Sequence, residues 1–177
     1  LFFWFRHLQR LQDSAHALAF EAIPSSRDIT VAIMSTLAAN DMTDGVHVRV
    51  TLSRGTKTTS SMDPSFSIFG CTLIVVAERE DAGRAASYAS QRGVSLVTAA
   101  YRRTPPQCLD SAIHHNTLLT NILASPKIQA NVAGAADAVM LDVEGFVSDT
   151  NAANIFIAKE DVLMTPLAGS CLPGITR

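Results

Sequence analysis

No run of apolar residues in this chain approaches the roughly 18 that a membrane-spanning helix needs, so no span is expected. The apolar opening, Leu1 to Phe5, is cut off at once by Arg6 and His7 and is too short for a signal peptide. Charge of one sign is also missing. The formal net charge is -2, which gives no pull toward nucleic acid or an anionic membrane. Cysteine is sparse, and Cys71, Cys108 and Cys171 stand far apart with no CxxC pair. That pattern argues against a disulfide framework or a cysteine zinc site and points to reduced thiols inside a cell; the expected location is cytoplasmic, with an organelle left open. The adjacent His114 and His115 lack the i,i+4 spacing that brings two ring nitrogens to one metal on a helix, so no metal is expected. Internal repeats and low-complexity tracts are absent too.

What is present is apolar material, 47% of the residues, enough for a real core. Leu8, Leu11, Ala15 and Leu18 recur at helical spacing, predicting an amphipathic helix over about 5–19. A second helix opens at Asp28, with Ile29, Ile33 and Leu37 as its stripe. Strict alternation from Val46 to Ser53 reads as a half-buried strand, with His47, Arg49 and Thr51 on its polar face. The Ser- and Thr-rich stretch 56–66 reads as a loop, and the run Cys71–Ala77 as a strand buried on both faces. Charged, small and Gly-containing residues mark 79–92 as a connector between domains at 1–78 and 93–177. Beyond it the pattern predicts a strand over Val94–Tyr101 and a helix over about Ser111–Ala124, capped by Asp110 or Ser111. Two hairpins follow, Ala138–Leu141 with Phe146–Val147 and Ile155–Ala158 with Val162–Met164. The class is α/β, more narrowly α+β.

The most informative residues lie near the end of the chain. Asp149, Asn154, Phe156, Thr165-Pro166 and the run Leu172 to Arg177 form a set of fixed features at fixed spacing. They resemble the signature of class IV (fold-type IV) pyridoxal-phosphate aminotransferases. His7 to Leu11 followed by Asp13-Ser14-Ala15 is similar to the early helix of that family, and His114-His115-Asn116, ahead of Leu118-Leu119, to the helix that carries its lysine. The likeness runs along essentially the whole chain and is greatest to the branched-chain-aminotransferase-like group.

The resemblance implies a D-amino-acid-aminotransferase-like fold, with a small α/β domain and part of a larger, strand-rich one. It implies pyridoxal 5'-phosphate as cofactor, an amino acid and a 2-oxo acid as substrates, and a homodimer. Gly174-Ile175-Thr176 would bind the cofactor phosphate through backbone N–H groups and a hydroxyl, with Pro173 at the entry to a helix. Arg10 would reach the same phosphate, as suits a guanidinium. Asp149 stands where the family usually has glutamate, and would accept from the pyridine N–H and keep the ring protonated. Arg49 would take a substrate carboxylate.

At the position of the lysine that joins the cofactor and moves the substrate proton, this chain has Ala112. None of Lys57, Lys127 and Lys159 is placed by spacing to replace it. The sequence therefore leaves several readings open: an aminotransferase whose chemistry is impaired or lost, a homologue that binds the cofactor without turnover, or a fragment without independent function. The last arises because the chain opens on Leu1 and the family extends beyond it at both ends. Within the family, D-amino-acid aminotransferase and aminodeoxychorismate lyase also remain open.

Overall fold

The protein is described by a computed structural model covering residues 3–80, 93–124 and 135–177. Its chain divides into two compact units, Leu1–Ala89 and Ser90–Arg177. From residue 81 onward the expected connector lies outside the described residues, as does Lys127.

In the first unit, helices α1 (Trp4–Ala17) and α2 (Ser26–Ala39) pack on an antiparallel pair, β1 (Val46–Ser53) and β2 (Thr72–Arg79). Helix α2 starts earlier than the apolar stripe suggested, because Ser25 and Asp28 close a reciprocal capping box that satisfies two first-turn N–H groups. Leu8, Ile29 and Ile33 form the buried centre, and Val48, Val50, Leu73 and Val75 meet them from the sheet. The register sets Val48 against Ala77, Val50 against Val75 and Leu52 against Leu73, which puts one apolar row on the helix side.

The opposite row carries His47, Arg49 and Thr51, facing Glu78, Val76 and Ile74. Ile74 and Val76 are 47% and 40% exposed, so β2 is half-buried and not covered on both faces as its composition suggested. A continuous apolar run cannot by itself distinguish one covered face from two. The loop after β1 is pinned by Arg54, whose guanidinium donates to the carbonyls of Leu18 and Ala19 and lies over the Phe20 ring. A short 3-10 turn, Pro64–Phe66, interrupts the Ser- and Thr-rich stretch.

In the second unit a three-stranded sheet has β4 (Ala135–Leu141) at its centre. Strand β3 (Ser95–Thr98) lies parallel to one side, and β5 (Val147–Thr150) antiparallel to the other. Ala99, Ala124, Ala138 and Met140 form the buried cluster, with Ala124 supplied by the short helix α3 (Leu119–Ala124). The hairpin of β6 (Ile157–Lys159) and β7 (Val162–Met164) turns through Glu160 and Asp161, both with left-handed φ, as a two-residue turn of right-handed twist requires.

Helix α3 is shorter than the predicted 111–124 helix. The Asp110 carboxylate accepts from the Ala112 N–H at 2.8 Å, and the His115 ring from the Thr117 N–H at 3.1 Å. These side chains offer the backbone an alternative to a helical ladder, so residues 111–118 form a short turn followed by irregular chain.

The packing gives a direct expectation. Ile33→Ala should destabilise the first unit by about 2–5 kcal/mol, the usual cost of truncating a fully enclosed aliphatic side chain. Val31→Ala, on the same helix but 57% exposed, should change stability by less than about 0.5 kcal/mol. Urea melts followed by far-UV circular dichroism would separate the two.

Candidate functional site

Strand β4 explains how the second unit brings two charges together. After β3 the chain continues beside β4, with the Ala99 N–H donating to Val139 at 2.8 Å and the Arg103 N–H to Leu141 at 2.9 Å. On the other flank, β5 sets Asp149 opposite Met140. Arg103 and Asp149 thus arrive at the same end of β4 from opposite sides. Their side chains meet with Nη2 to Oδ2 at 2.6 Å, and are only 12% and 5% exposed.

Only one carboxylate oxygen is used in this pair. Asp149 Oδ1 is buried and has no hydrogen-bond partner among the described residues. Burial pushes the Asp149 carboxyl up from its ordinary 3.8 to about 6, although the Arg103 charge works in the opposite direction. A buried acceptor left open beside a cation is an arrangement that a further N–H donor would complete.

The neighbouring segment, residues 170–177, is tied to β5 and the loop after it. Ser148 donates to the Ser170 carbonyl at 2.7 Å, and Asn154 Nδ2 to the Leu172 carbonyl at 3.0 Å. Between these two ties the loop is tight: the Thr150 N–H donates to Ala153 at 2.8 Å, and the Thr150 hydroxyl accepts from the Ala153 N–H at 2.9 Å. Asn121 of α3 holds the tip through the Asn151 carbonyl at 2.7 Å. The Arg177 guanidinium donates to the Pro166 carbonyl, and the Arg177 backbone N–H donates to the Gly174 carbonyl at 3.2 Å, closing a turn. Gly174, Ile175 and Thr176 lie inside that turn. Cys171 is buried beside it, and burial pushes its thiol up, with Asp149 adding to the shift.

Among the residues singled out from sequence, Asp149 and the Gly174, Ile175 and Thr176 stretch lie in one unit, on segments joined by the Ser148–Ser170 and Asn154–Leu172 bonds. Ala112 is in the same unit, exposed, in the turn made by Asp110 and next to Ser111, whose hydroxyl reaches the Gly169 carbonyl at 3.4 Å. Arg10 and Arg49 lie in the first unit. Arg10 is half-buried on α1, where desolvation lowers its pKa, and Arg49 is exposed on the polar row of β1.

Sequence reasoning missed Arg103. It follows Arg102 after an apolar strand, and no motif distinguishes the two; only the position beside β4 does. Among the described residues, no group of three or more His, Cys, Asp or Glu is arranged to hold a metal ion, and no helix is long and apolar enough to cross a membrane.

The model of the family "Amino-transferase class IV" matches residues 1–177. The chain belongs to the class IV aminotransferases. The family consists of pyridoxal-phosphate enzymes. Branched-chain-amino-acid aminotransferase-like protein 2 of Arabidopsis thaliana is 54% identical over 97% of this chain, which spans 30% of that protein. The branched-chain amino acid aminotransferase of Escherichia coli superposes with a TM-score of 0.83 at 25% identity, over 98% of this chain and 56% of its own. The branched-chain aminotransferase of Thermoproteus uzoniensis with norvaline superposes with a TM-score of 0.80 at 25% identity, over 96% of this chain and 55% of its own. This class IV chain thus spans about a third to a half of the proteins it resembles.

The electrostatics can be tested without any ligand. Because the folded pKa of Asp149 exceeds its ordinary value, the folded state holds the extra proton between pH 3.8 and about 6. Stability from this group should therefore fall as pH rises through that window, and Asp149→Asn should remove that part of the pH dependence. Arg103→Met should cost about 3–5 kcal/mol at neutral pH, since it strands a buried carboxylate. Denaturant midpoints from pH 4 to 7 would measure both effects.

Proposed function

We propose that this chain is part of a pyridoxal-phosphate-dependent branched-chain aminotransferase, exchanging an amino group between an amino acid and a 2-oxo acid, and that its own chemistry is impaired by alanine at position 112. The observation that carries the reading is the open, buried Oδ1 of Asp149 beside Arg103, on a segment whose Asn154 is tied to Leu172 just before the turn at Gly174. The two units are read as the small domain and the first part of the large domain.

The residues fit the cofactor. Asp149 Oδ1 offers an acceptor to the pyridine N–H, and a carboxylate there favours the protonated ring. Arg103 holds the carboxylate through its other oxygen and supports the ionised form. Gly174, Ile175 and Thr176 would hold the phosphate with backbone N–H groups and a hydroxyl, and Arg10 would add charge from the small domain. Arg49 would orient the substrate carboxylate. When bound, the cofactor supplies the electron sink that lets the substrate α-proton leave. That proton needs a base, which in the family is the lysine amine; the methyl group of Ala112 can neither hold a proton nor bond to the cofactor.

Position 112 also supports a second reading, a homologue that binds the cofactor, or a cofactor–amino acid adduct, without turnover. Pyridoxamine 5'-phosphate separates binding from chemistry, because it carries an amine and needs no lysine partner. The chain should bind it in titration calorimetry, while borohydride should fix no pyridoxal phosphate to the pocket. Ala112→Lys should restore a linkage that borohydride fixes and peptide mass spectrometry locates at position 112. In a chain extended with a relative's ends, Ala112→Lys with Asp149→Glu should recover transamination of leucine or valine with 2-oxoglutarate. No linkage at position 112 even there would show that this is not the lysine position, and the site assignment would fall.

A further inference from the structure

We propose that Asn154 is a positioning residue for the phosphate end of the site: it fixes the Leu172–Thr176 turn relative to the Asp149 carboxylate, and its side chain is the reason position 174 must be glycine. This rests on the cofactor reading above and adds to it a residue to which that reading gives no role.

The geometry has three parts. First, Asn154 Nδ2 donates to the Leu172 carbonyl at 3.0 Å, which fixes the amide so that Oδ1 faces the other way. Second, Oδ1 faces Gly174. A methyl group at position 174 would sit 2.2 Å from Asn154 Oδ1 and 3.4 Å from Cγ, far inside van der Waals contact for the oxygen. A free side-chain end could swing aside, but this one could do so only by breaking its bond to Leu172. Third, Asn154 is rigidly linked to Asp149. The Thr150–Ala153 bonds fold the intervening loop tightly, and Ser148, on the other side of Asp149, donates to the Ser170 carbonyl at 2.7 Å.

Two ties, Ser148 to Ser170 and Asn154 to Leu172, therefore run between the same two segments. They flank the carboxylate at one end and the turn at the other. A ligand with a cationic ring nitrogen at one end and a phosphate at the other would meet both ends at a spacing these ties set. Asn154 touches neither end of such a ligand; it acts through the turn.

The test compares pyridoxamine 5'-phosphate with pyridoxamine, which lacks only the phosphate. Neither bears an aldehyde, so surface lysines do not interfere. In Asn154→Ala the preference for the phosphorylated ligand should drop by about tenfold, the order expected for one orienting hydrogen bond. Affinity for pyridoxamine should stay within about twofold. Equal loss for both ligands, or no loss for either, overturns the proposal.

Thermal melts test the contact itself. Gly174→Ala should lower the melting temperature, and Asn154→Ala in that background should recover part of the loss, because the blocking oxygen is gone. A double variant that melts lower by the full sum of the two single losses overturns the lock. Should Asn154→Ala fail to fold, the same ligand ratio read on Asn154→Ser decides the question. An unaltered chain that binds neither ligand rejects the cofactor reading as a whole, whereas one that prefers the phosphate by a margin Asn154→Ala leaves intact rejects only the role of Asn154.

Discussion

A carboxylate withdrawn from water beside a single guanidinium is the constraint that organises the second unit. Burying Asp149 is costly on its own, and Arg103 offsets that cost at only one of the two carboxylate oxygens. The chain keeps the arrangement by supporting it through the backbone. Strand β4 holds Arg103 on one flank and Asp149 on the other, and Met140, the cross-strand partner of Asp149, is buried with Ala99, Ala124 and Ala138. Small side chains in that cluster let the elements approach closely, so the charged pair is positioned by ladder bonds rather than by its own flexible side chains. A pair held this way keeps its open oxygen oriented, which a surface ion pair would not.

The part of the chain that could be read from residues alone follows from how local each signal is. Alternation through Val46–Ser53 and the helical stripes of α1 and α2 depend on near neighbours; the strand appears over the expected residues, and the helices to within about two residues at their ends. Less local features were misread. The run Cys71–Ala77 looked doubly buried, but whether Ile74 and Val76 are covered depends on what lies across the sheet, and its own sequence does not carry that information. Around Ala112, a helical reading of the apolar spacing lost to Asp110 and His115, whose side chains take the N–H groups of Ala112 and Thr117. Short polar side chains competing for backbone donors act over two residues, a scale that periodicity averages away.

The site shows the same division. The terminal motif was visible as a family resemblance, carried by the types and spacing of Asp149, Asn154, Phe156, Thr165-Pro166 and Leu172 to Arg177, and the roles proposed for its residues come from that resemblance. Arg103 was not visible, because its partner is 46 positions away and the contact exists only once β4 lies between them. Asn154 was visible as a member of the pattern but not as a tie. Its purpose appears only when the space at Gly174 is measured and found to be filled by the asparagine oxygen.

On the reading proposed above, the groups for the ring nitrogen and the phosphate belong to the fold: a buried pair across β4 and a turn tied to β5. Neither depends on the side chain at position 112, which is exposed and lies in a turn closed by Asp110. The lysine of a class IV enzyme contributes a covalent bond and a movable proton, while orientation of the ring and phosphate comes from elsewhere. On that reading, alanine at position 112 would remove chemistry without removing the structure that positions a ligand. The Asp149–Arg103 pair would then still be satisfied by a ligand's N–H, so selection for the folded, ligand-stabilised chain can retain a binding site after turnover has gone. On that reading, what holds the ligand and what reacts with it are separate, so binding and catalysis are independent measurements.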